Sequence, residues 1–566
     1  MLQMIPRIAW LSLAVTFAPC VVAADRTTLL LPRAADASTG NALPTGQYPD
    51  DAMGRHAGAG WRSYVRLWKA HHQSPGNRDL RRYLGLPLED SFAWSARRGR
   101  SAPRYLRWSA GKYAQIETAH FVIFSRADEM ASRRVAEDLE RCYWAWTQMF
   151  FPIWEGAPLV RSSLTGLAEG NTSVEEHLKG NSARITIRRK LRVVLFRDAE
   201  EYQKTLAPDY PGVERSTGFY ASDKQTTFLY ASEEDDAATR RHELVHQLFR
   251  EATRSGLGRS FPGEREGFWI IEGIAGYFES LHMTDDVATV GGWDCSRLQF
   301  ARYRVLVLGD LMPMEELVAD GRVAAQQRSD IARWYAHAIA QTHRLLDSGD
   351  ADRRAWIYDQ LSERYRIASS KDWEVNADQV LEDSGKRLRA FLQLRSDQVL
   401  TNPVARPLRN LVLAECALPS ETIQSIAPQS ELNWLDLTRI RVTTNDVIRL
   451  VPDPSTLSQL RLEATAVDGS LASWLAKTSG LVELDLSWTP VDDSTIQSIV
   501  KNQSLDVLYL TGTRVSDASI DAIIALPKLQ TIDLQRTAVT ESGLKRLRNA
   551  RPQVELNPLR LVESGG

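Results

Sequence analysis

One short pattern, LxxLxL, recurs six times in the last third of the chain, and it constrains the fold more than any other feature. The frames begin 24 or 25 residues apart, and Ile532 replaces one leucine of the last frame; they start at Leu408, Leu432, Leu457, Leu481, Leu505 and Leu529. Six aligned frames indicate an internal repeat rather than coincidence. A unit this short cannot bury its leucines alone, so neighbouring repeats must stack into one continuous array.

Repeats with this frame and length are identified as leucine-rich repeats, and we expect an α/β leucine-rich repeat solenoid over residues 405–560. Alternate residues of each strand should face the concave side. One such column mixes acidic, basic and aromatic side chains: Asp436, Arg461, Asp485, Tyr509 and Asp533. The column predicts a protein or glycan ligand on this face. The alternative is a solvated surface on which Arg461 neutralises the flanking aspartates.

The second informative feature is the run HELVH, which begins at His242. Residues i and i+4 of a helix lie on one side, so His242 and His246 can bind the same Zn²⁺ ion. Glu243 is placed to take a proton from a zinc-bound water and to pass it to a leaving amine. Short HExxH patterns also occur by chance on surface helices, but the apolar residues around this one favour a packed helix that holds zinc.

Zinc hydrolases need a third protein ligand and an open fourth position. The apolar run FWIIEGIAGYFE, which follows the histidines, offers Glu272, and its surroundings suit a buried ligand. Three other acids compete for this role: Glu264 and Glu266 in a Gly- and Pro-containing loop, and Glu279 two turns further on. We prefer Glu272, and we interpret Glu279 as the fallback ligand or as a partner of a ligating histidine.

HELVHQ followed by WIIEGIAGYFE resembles the gluzincin metallopeptidases, which pair HExxH with a glutamate on the next helix. More narrowly, the stretch from Thr118 to Leu394 resembles uncharacterised peptidase-like domains of secreted bacterial, especially planctomycete, proteins. The resemblance implies an α+β zincin-like domain, a Zn²⁺ cofactor and a role for Tyr335 as the hydrogen-bond donor to the oxyanion. The alternative for Tyr335 is an ordinary half-buried tyrosine. Some gluzincins orient the first histidine with an aspartate at the position where this chain has Gly276, so the orienting group here is left open.

Short runs rich in apolar residues predict strands at HFVIFS and LRVVLF, and the two runs GFY and TTFLY predict a hairpin. In zincin folds the strand before the HExxH helix is the sheet edge that pairs with an extended peptide. If the second hairpin strand is that edge, Thr226, Thr227 and Phe228 bind substrate by strand addition. The alternative is a hairpin that only completes the sheet.

The N-terminus predicts a secretory signal peptide over residues 1–23, with Arg7 before an apolar run and VVA as the cleavage site. We therefore expect a secreted or periplasmic protein without a membrane span after cleavage; the alternative is an uncleaved N-terminal anchor. Residues 24–115 are predicted to form a linker, to about residue 60, and a helical segment. The peptidase-like domain is expected over residues 116–398. The formal charge of −2 gives no general attraction to nucleic acid, and the odd set Cys142, Cys295 and Cys416 predicts buried free thiols.

These observations favour a secreted zinc metallopeptidase whose repeats recognise a substrate or partner. The alternative is a non-catalytic binding scaffold, which would not need Glu243, and a weaker one is a zinc hydrolase acting on something other than peptides. Because solenoid repeats bury their leucines against one another, we also expect truncation near Asn402 to leave a folded catalytic fragment. The alternative is that Leu408, Leu411 and Leu413 of the first repeat, which lack an evident N-terminal cap, pack on the catalytic domain.

Overall fold

The computed structural model describes residues 26–557 except 155–163, 165–166, 168–171, 180, 188, 233–236, 254, 368–372, 374 and 405–406. The predicted signal peptide, residues 1–23, lies outside the described residues. The described chain is mixed α/β and contains three sheets. Its strands and helices follow in chain order below.

The largest sheet of the N-terminal two thirds has six strands in the order β2-β3-β4-β5-β7-β6. The central pairs β4–β5 and β5–β7 are parallel, while β2, β3 and β6 join antiparallel. All apolar residues of β4 and β5 are buried except Val122, which is half-buried. The strands are β2 Ser95–Arg98, β3 Ala114–Glu117, β4 Phe121–Ser125, β5 Leu191–Phe196, β6 Gly218–Ala221 and β7 Thr226–Tyr230.

The predicted hairpin is confirmed, but the prediction that its second strand forms the sheet edge is wrong. Strand β7 pairs with β5 on one side and with β6 on the other. The edge strand is β6, which precedes β7 in the chain and is joined to it by the hairpin turn. Because β7 pairs with β5 on one side and with β6 on the other, β6 is the last strand of the sheet. Among the described residues it has no strand neighbour on its outer side.

The predicted linker is also wrong in its first part. Strand β1, Arg26–Leu30, pairs antiparallel with β9, Val287–Gly291, and β8, His282–Met283, completes a three-stranded sheet. The apolar residues of β1 are buried in the main core. Composition suggested a linker, but the stretch is ordered because a strand far along the chain provides its hydrogen-bond partners.

Helices cover the six-stranded sheet and build the main core. The long helix Glu129–Met149 is capped by Asp128, whose side chain accepts from the Ala131 amide. It is followed by the motif helix (Ala237–Gln247), the glutamate helix (Phe268–Phe278) and the tyrosine helix (Ile331–Asp347). The other helices before the repeats are Pro49–Met53, Ala59–Gln73, Arg78–Leu84, Phe151–Trp154, Val174–Leu178, Ala199–Leu206, Ser296–Arg302, Met314–Ala319, Arg322–Gln326, Ala351–Arg364, Ala377–Leu381, Ser384–Leu392 and Ser396–Thr401.

The third sheet has seven short strands, β10 to β16, paired in parallel in strict chain order. Each of the first six lies within one LxxLxL frame: Asn410–Val412, Trp434–Asp436, Gln459–Arg461, Glu483–Asp485, Val507–Tyr509 and Thr531–Asp533, with Glu555–Leu556 as β16. Short helices return the chain between them: Ser420–Ser425, Thr444–Leu450, Ala472–Leu475, Asp493–Ser498, Ile520–Ile524 and Glu541–Ala550. The frame leucines form one buried core between strands and helices.

This repeat core continues into the N-terminal part of the chain. Trp293, Leu298, Leu392 and Val399 belong to the same buried cluster as the leucines of the first repeat. Phe300, Tyr303 and Val307 pack on Val412, Ala414 and Trp434 at the first two strands. Hydrogen bonds also join the parts: Gln299 Oε1 accepts from the Val412 amide at 2.9 Å, and the Leu394 amide donates to Cys416 Sγ at 3.2 Å. The expectation of two separate cores is therefore corrected.

Candidate metal site and active-site cavity

The motif helix is fixed against the long helix by a buried ion-pair cluster. Asp138 lies 2.8 Å from Arg240 Nε and 2.7 Å from Arg241 Nη2. Further along, Gln247 accepts a hydrogen bond from Thr227 of β7. These contacts hold both ends of the helix that carries His242 and His246. The i, i+4 spacing of the two histidines places both imidazoles on one side of that helix.

Glu272 on the glutamate helix meets both histidines. Its Oε2 lies 3.4 Å from His242 Nε2, and its Oε1 lies 3.6 Å from His246 Nε2. Three ligand atoms of this group lie within 4.8 Å of one another. Tetrahedral zinc with ligands at about 2.1 Å requires ligand atoms roughly 3.4 Å apart, so the His/His/Glu donor set and its spacing fit zinc.

Two glycines bring the tyrosine helix close behind Glu272. A Cβ at Gly273 would lie 2.0 Å from Thr342 Oγ1, and one at Gly276 would lie 2.4 Å from Ile339 Cδ1. The glycine that stands where some gluzincins have an aspartate therefore serves helix packing. The close approach also places Tyr335 against Glu272, to which it donates a side-chain hydrogen bond.

Glu279 orients His242, which answers the question that the sequence left open. Its Oε1 lies 3.0 Å from His242 Nδ1, on the opposite side of the ring from Glu272. Arg297 Nε donates to Glu279 Oε2 at 2.7 Å and so holds the carboxylate in place. Glu279 thus takes the partner role that the sequence allowed it. Arg297 was missed, because no motif marks it.

The pKa values of this group are strongly shifted from their usual values. Burial opposes charge on His242, but hydrogen bonds to Glu272 and Glu279 outweigh burial and raise its pKa to about 10. Burial dominates at His246 and lowers its pKa to about 4. At Glu272 burial favours protonation, yet His246 and His242 outweigh it and lower the pKa to about 2. The site therefore carries an ionised Glu272 and one protonated histidine at neutral pH.

Glu243 lies beside the three candidate ligands and next to the edge strand. Its Oε2 accepts a hydrogen bond from the Tyr220 amide of β6 at 2.8 Å. Burial raises the pKa of Glu243 to about 7, partly offset by His242. A carboxylate with a pKa near neutrality both accepts and returns protons efficiently.

These residues line a cavity of approximately 420 Å³. The cavity is lined by Tyr335, by Phe219 and Tyr220 of the edge strand, and by two arginines, Arg250 and Arg322. All five residues predicted for metal binding and catalysis line it: His242, Glu243, His246, Glu272 and Tyr335. A molecule bound in this cavity would contact Glu243 and the edge strand together.

The three residues predicted to bind substrate lie elsewhere. Thr226 and Thr227 of β7 are fully buried, and Phe228 belongs to an aromatic core cluster beneath the sheet. Thr226 Oγ1 and Tyr105 share a hydrogen bond, and Thr227 donates to Gln247. Because β7 is internal, these residues stabilise the sheet, and the prediction that they form a substrate-binding edge is corrected in favour of β6.

The column of acidic residues in the repeats is less exposed to solvent than the sequence suggests. Asp436, Asp485 and Asp533 are buried, and each accepts a hydrogen bond from the amide two residues later in the chain. Arg461 pairs with Glu483, and its guanidinium lies 4.9 Å from the Tyr303 ring centroid. Part of this column therefore stabilises the repeat turns and the junction with the N-terminal part.

A scan against protein-family models and a search of curated proteins found no match to this chain. Within the described residues no helix has the length and apolar character that crossing a membrane requires.

Proposed function

We propose that this chain is a zinc-dependent peptidase with a gluzincin-like, zincin-type domain followed by a leucine-rich repeat solenoid. The observation that carries the proposal is the convergence of His242, His246 and Glu272 in one cavity with Glu243. The spacing of the three ligands supports zinc, and the raised pKa of Glu243 supports general-base chemistry.

Zinc held by His242, His246 and Glu272 would supply a Lewis acid and a bound water of lowered pKa. Glu243 takes the proton of the attacking water and delivers it to the leaving amine. Tyr335 donates its hydroxyl proton in a hydrogen bond to the carbonyl oxygen as negative charge develops there. Glu279 bonds to His242 Nδ1 and so keeps His242 Nε2 directed toward the position between His246 and Glu272 where zinc would bind.

An extended peptide suits the edge of the sheet. Strand β6 pairs on one side only among the described residues, and two of its residues line the cavity. Addition of a substrate strand to β6 would place a scissile bond beside Glu243, since the Tyr220 amide already contacts that carboxylate. For the repeats we propose recognition of a protein or glycan on the concave face.

Metal analysis joined to a peptide-cleavage assay tests the proposal. We expect about one zinc per chain, and loss of that zinc in the double variant His242→Ala, His246→Ala. Glu243→Gln should keep the metal and lose hydrolysis, because it removes the base and spares the ligands. The matched control is Glu266→Gln, an exposed glutamate outside the cavity, which should keep both. Native protein without zinc contradicts the site, and zinc without cleavage of a broad peptide library supports a scaffold instead.

A further inference from the structure

Arg322 occupies an unusual position in the active-site cavity. It lines the cavity together with the metal-ligand group and stacks on Phe261, with its guanidinium carbon 3.9 Å from the ring centroid. Phe261 is 37% exposed, so the stacked pair borders solvent. Stacking occupies one face of the guanidinium and leaves the N–H groups at its edge.

The guanidinium has no anionic partner within the described part of the chain. No ion pair or side-chain hydrogen bond is formed by Arg322 there, whereas nearby Arg297, Arg328 and Arg333 each pair with a carboxylate. Burial lowers the pKa of Arg322, although Glu272 and Glu264 oppose the change. An arginine keeps its charge under such a shift, so the cavity contains a guanidinium cation that forms no ion pair with a carboxylate of the described residues.

The position of this cation is built into the backbone. The Arg322 amide donates to the Gly263 carbonyl at 2.9 Å, and Gly321 packs so tightly that a Cβ would lie 2.4 Å from the Glu264 carbonyl oxygen. Arg250 donates to the carbonyls of Gly258 and Ser260, which fixes the loop that carries Phe261. The stacked pair is therefore held in place before any ligand binds.

The two acids that line the cavity make their close contacts with other groups. Glu272 faces the two histidines, and Glu243 accepts from Tyr220. A carboxylate from outside matches the fork of N–H donors on an arginine and forms strong, charge-assisted hydrogen bonds. We propose that Arg322, stacked on Phe261, is a specificity-determining residue that binds a carboxylate of the substrate. The preferred substrates are then peptides with an acidic side chain, or a free C-terminal carboxylate, near the scissile bond.

This inference rests on the proposed peptidase activity, so its test has a binding arm and a cleavage arm. The cleavage arm uses zinc-loaded full-length protein and three peptide sets: acidic side chains with an amidated C-terminus, neutral isosteres with an amidated C-terminus, and neutral isosteres with a free C-terminus. Products are identified by mass spectrometry. The binding arm measures affinities of the same peptides for the zinc-loaded Glu243→Gln protein by calorimetry. Both arms are repeated with Arg322→Met and with Arg265→Met, an exposed arginine of the adjacent loop.

We expect a preference for one carboxylate-bearing set over neutral amidated peptides, and a fall of that preference by at least about tenfold in Arg322→Met, as lost charged hydrogen bonds imply. Arg265→Met should keep the preference. The favoured set identifies the source of the carboxylate. Cleavage with no carboxylate preference, or a preference that survives Arg322→Met, overturns the subsite alone. Arg322-dependent binding without cleavage supports the subsite and overturns the peptidase function. Absence of both cleavage and binding overturns both.

Discussion

His242 and Glu279 form a hydrogen bond of 3.0 Å between Nδ1 and Oε1. The bond directs the other ring nitrogen of His242 toward Glu272. Arg297 donates a hydrogen bond to the other oxygen of Glu279. It lies on the helix Ser296–Arg302, whose Phe300 packs on the first repeat. The candidate metal site is therefore supported from the side that faces the repeats.

Replacing Glu279 with glutamine should weaken zinc binding about 10- to 100-fold, as expected for the loss of a carboxylate partner of a ligating histidine. Competition with a metal-indicator dye measures this affinity. Arg297→Met should have a smaller effect, because it leaves the bond to His242 in place. Unchanged zinc affinity in Glu279→Gln would show that the carboxylate does not orient the ligand.

Zinc binding should release protons near pH 6. His242, with a pKa of about 10, is protonated in the metal-free protein and must become neutral to bind. Glu243, with a pKa of about 7, is mostly protonated at this pH and should lose its proton beside the cation. Calorimetry in buffers of different ionisation enthalpy should give ~2 protons per zinc, and ~1 for Glu243→Gln. Zinc binding without proton release would contradict the hydrogen bonds from His242 to Glu272 and Glu279, which keep His242 protonated before the metal binds.

The Asp138 cluster should stabilise the motif helix in a pH-dependent way. Burial favours protonation, but Arg241 and Arg240 outweigh it and lower the pKa of Asp138 to about 2. A depressed carboxyl pKa stabilises the folded state fully above the unfolded pKa of about 3.9, and this stabilisation is lost as the pH falls toward 2.

Asp138→Asn should therefore destabilise the motif helix by about 3 kcal/mol at pH 7, because it leaves two buried arginines without their carboxylate. Hydrogen exchange of Ala237–Gln247 measures the effect, which should shrink below about pH 4. Glu137→Gln, on the preceding residue of the same helix, is the control and should change exchange little. A pH-independent difference would contradict the assigned charge of Asp138.

Truncation after Asn402 should expose the junction core rather than release a stable catalytic fragment. Leu298, Leu392 and Val399 would lose their partners from the first repeat, and each buried aliphatic side chain contributes about 1.5–3 kcal/mol. We expect aggregation, or a large fall in melting temperature, with weakened zinc binding. Truncation after Thr478 keeps the first three repeats and should remain soluble and bind zinc. A soluble, zinc-loaded fragment ending at Asn402 would contradict the shared core.

Several features of this protein could be predicted from the sequence because neighbours along the chain encode them. The spacing of His242 and His246 places both on one helix face, and the regular leucine frames match the strands of the third sheet. The buried free state of the three cysteines is likewise confirmed. Because periodicity is a local property of the sequence, it can be recognised without knowing which distant residues come into contact.

Only the tertiary structure decided which distant elements meet. Strand β6 rather than β7 is the edge, since hydrogen bonds between strands apart in sequence determine the order of the sheet. Glu279 faces His242, Arg322 stacks on Phe261, and Phe300 packs on the repeats for the same reason. An ion pair or a strand pairing depends on how whole helices and strands pack, and one chain's local pattern carries no record of that packing.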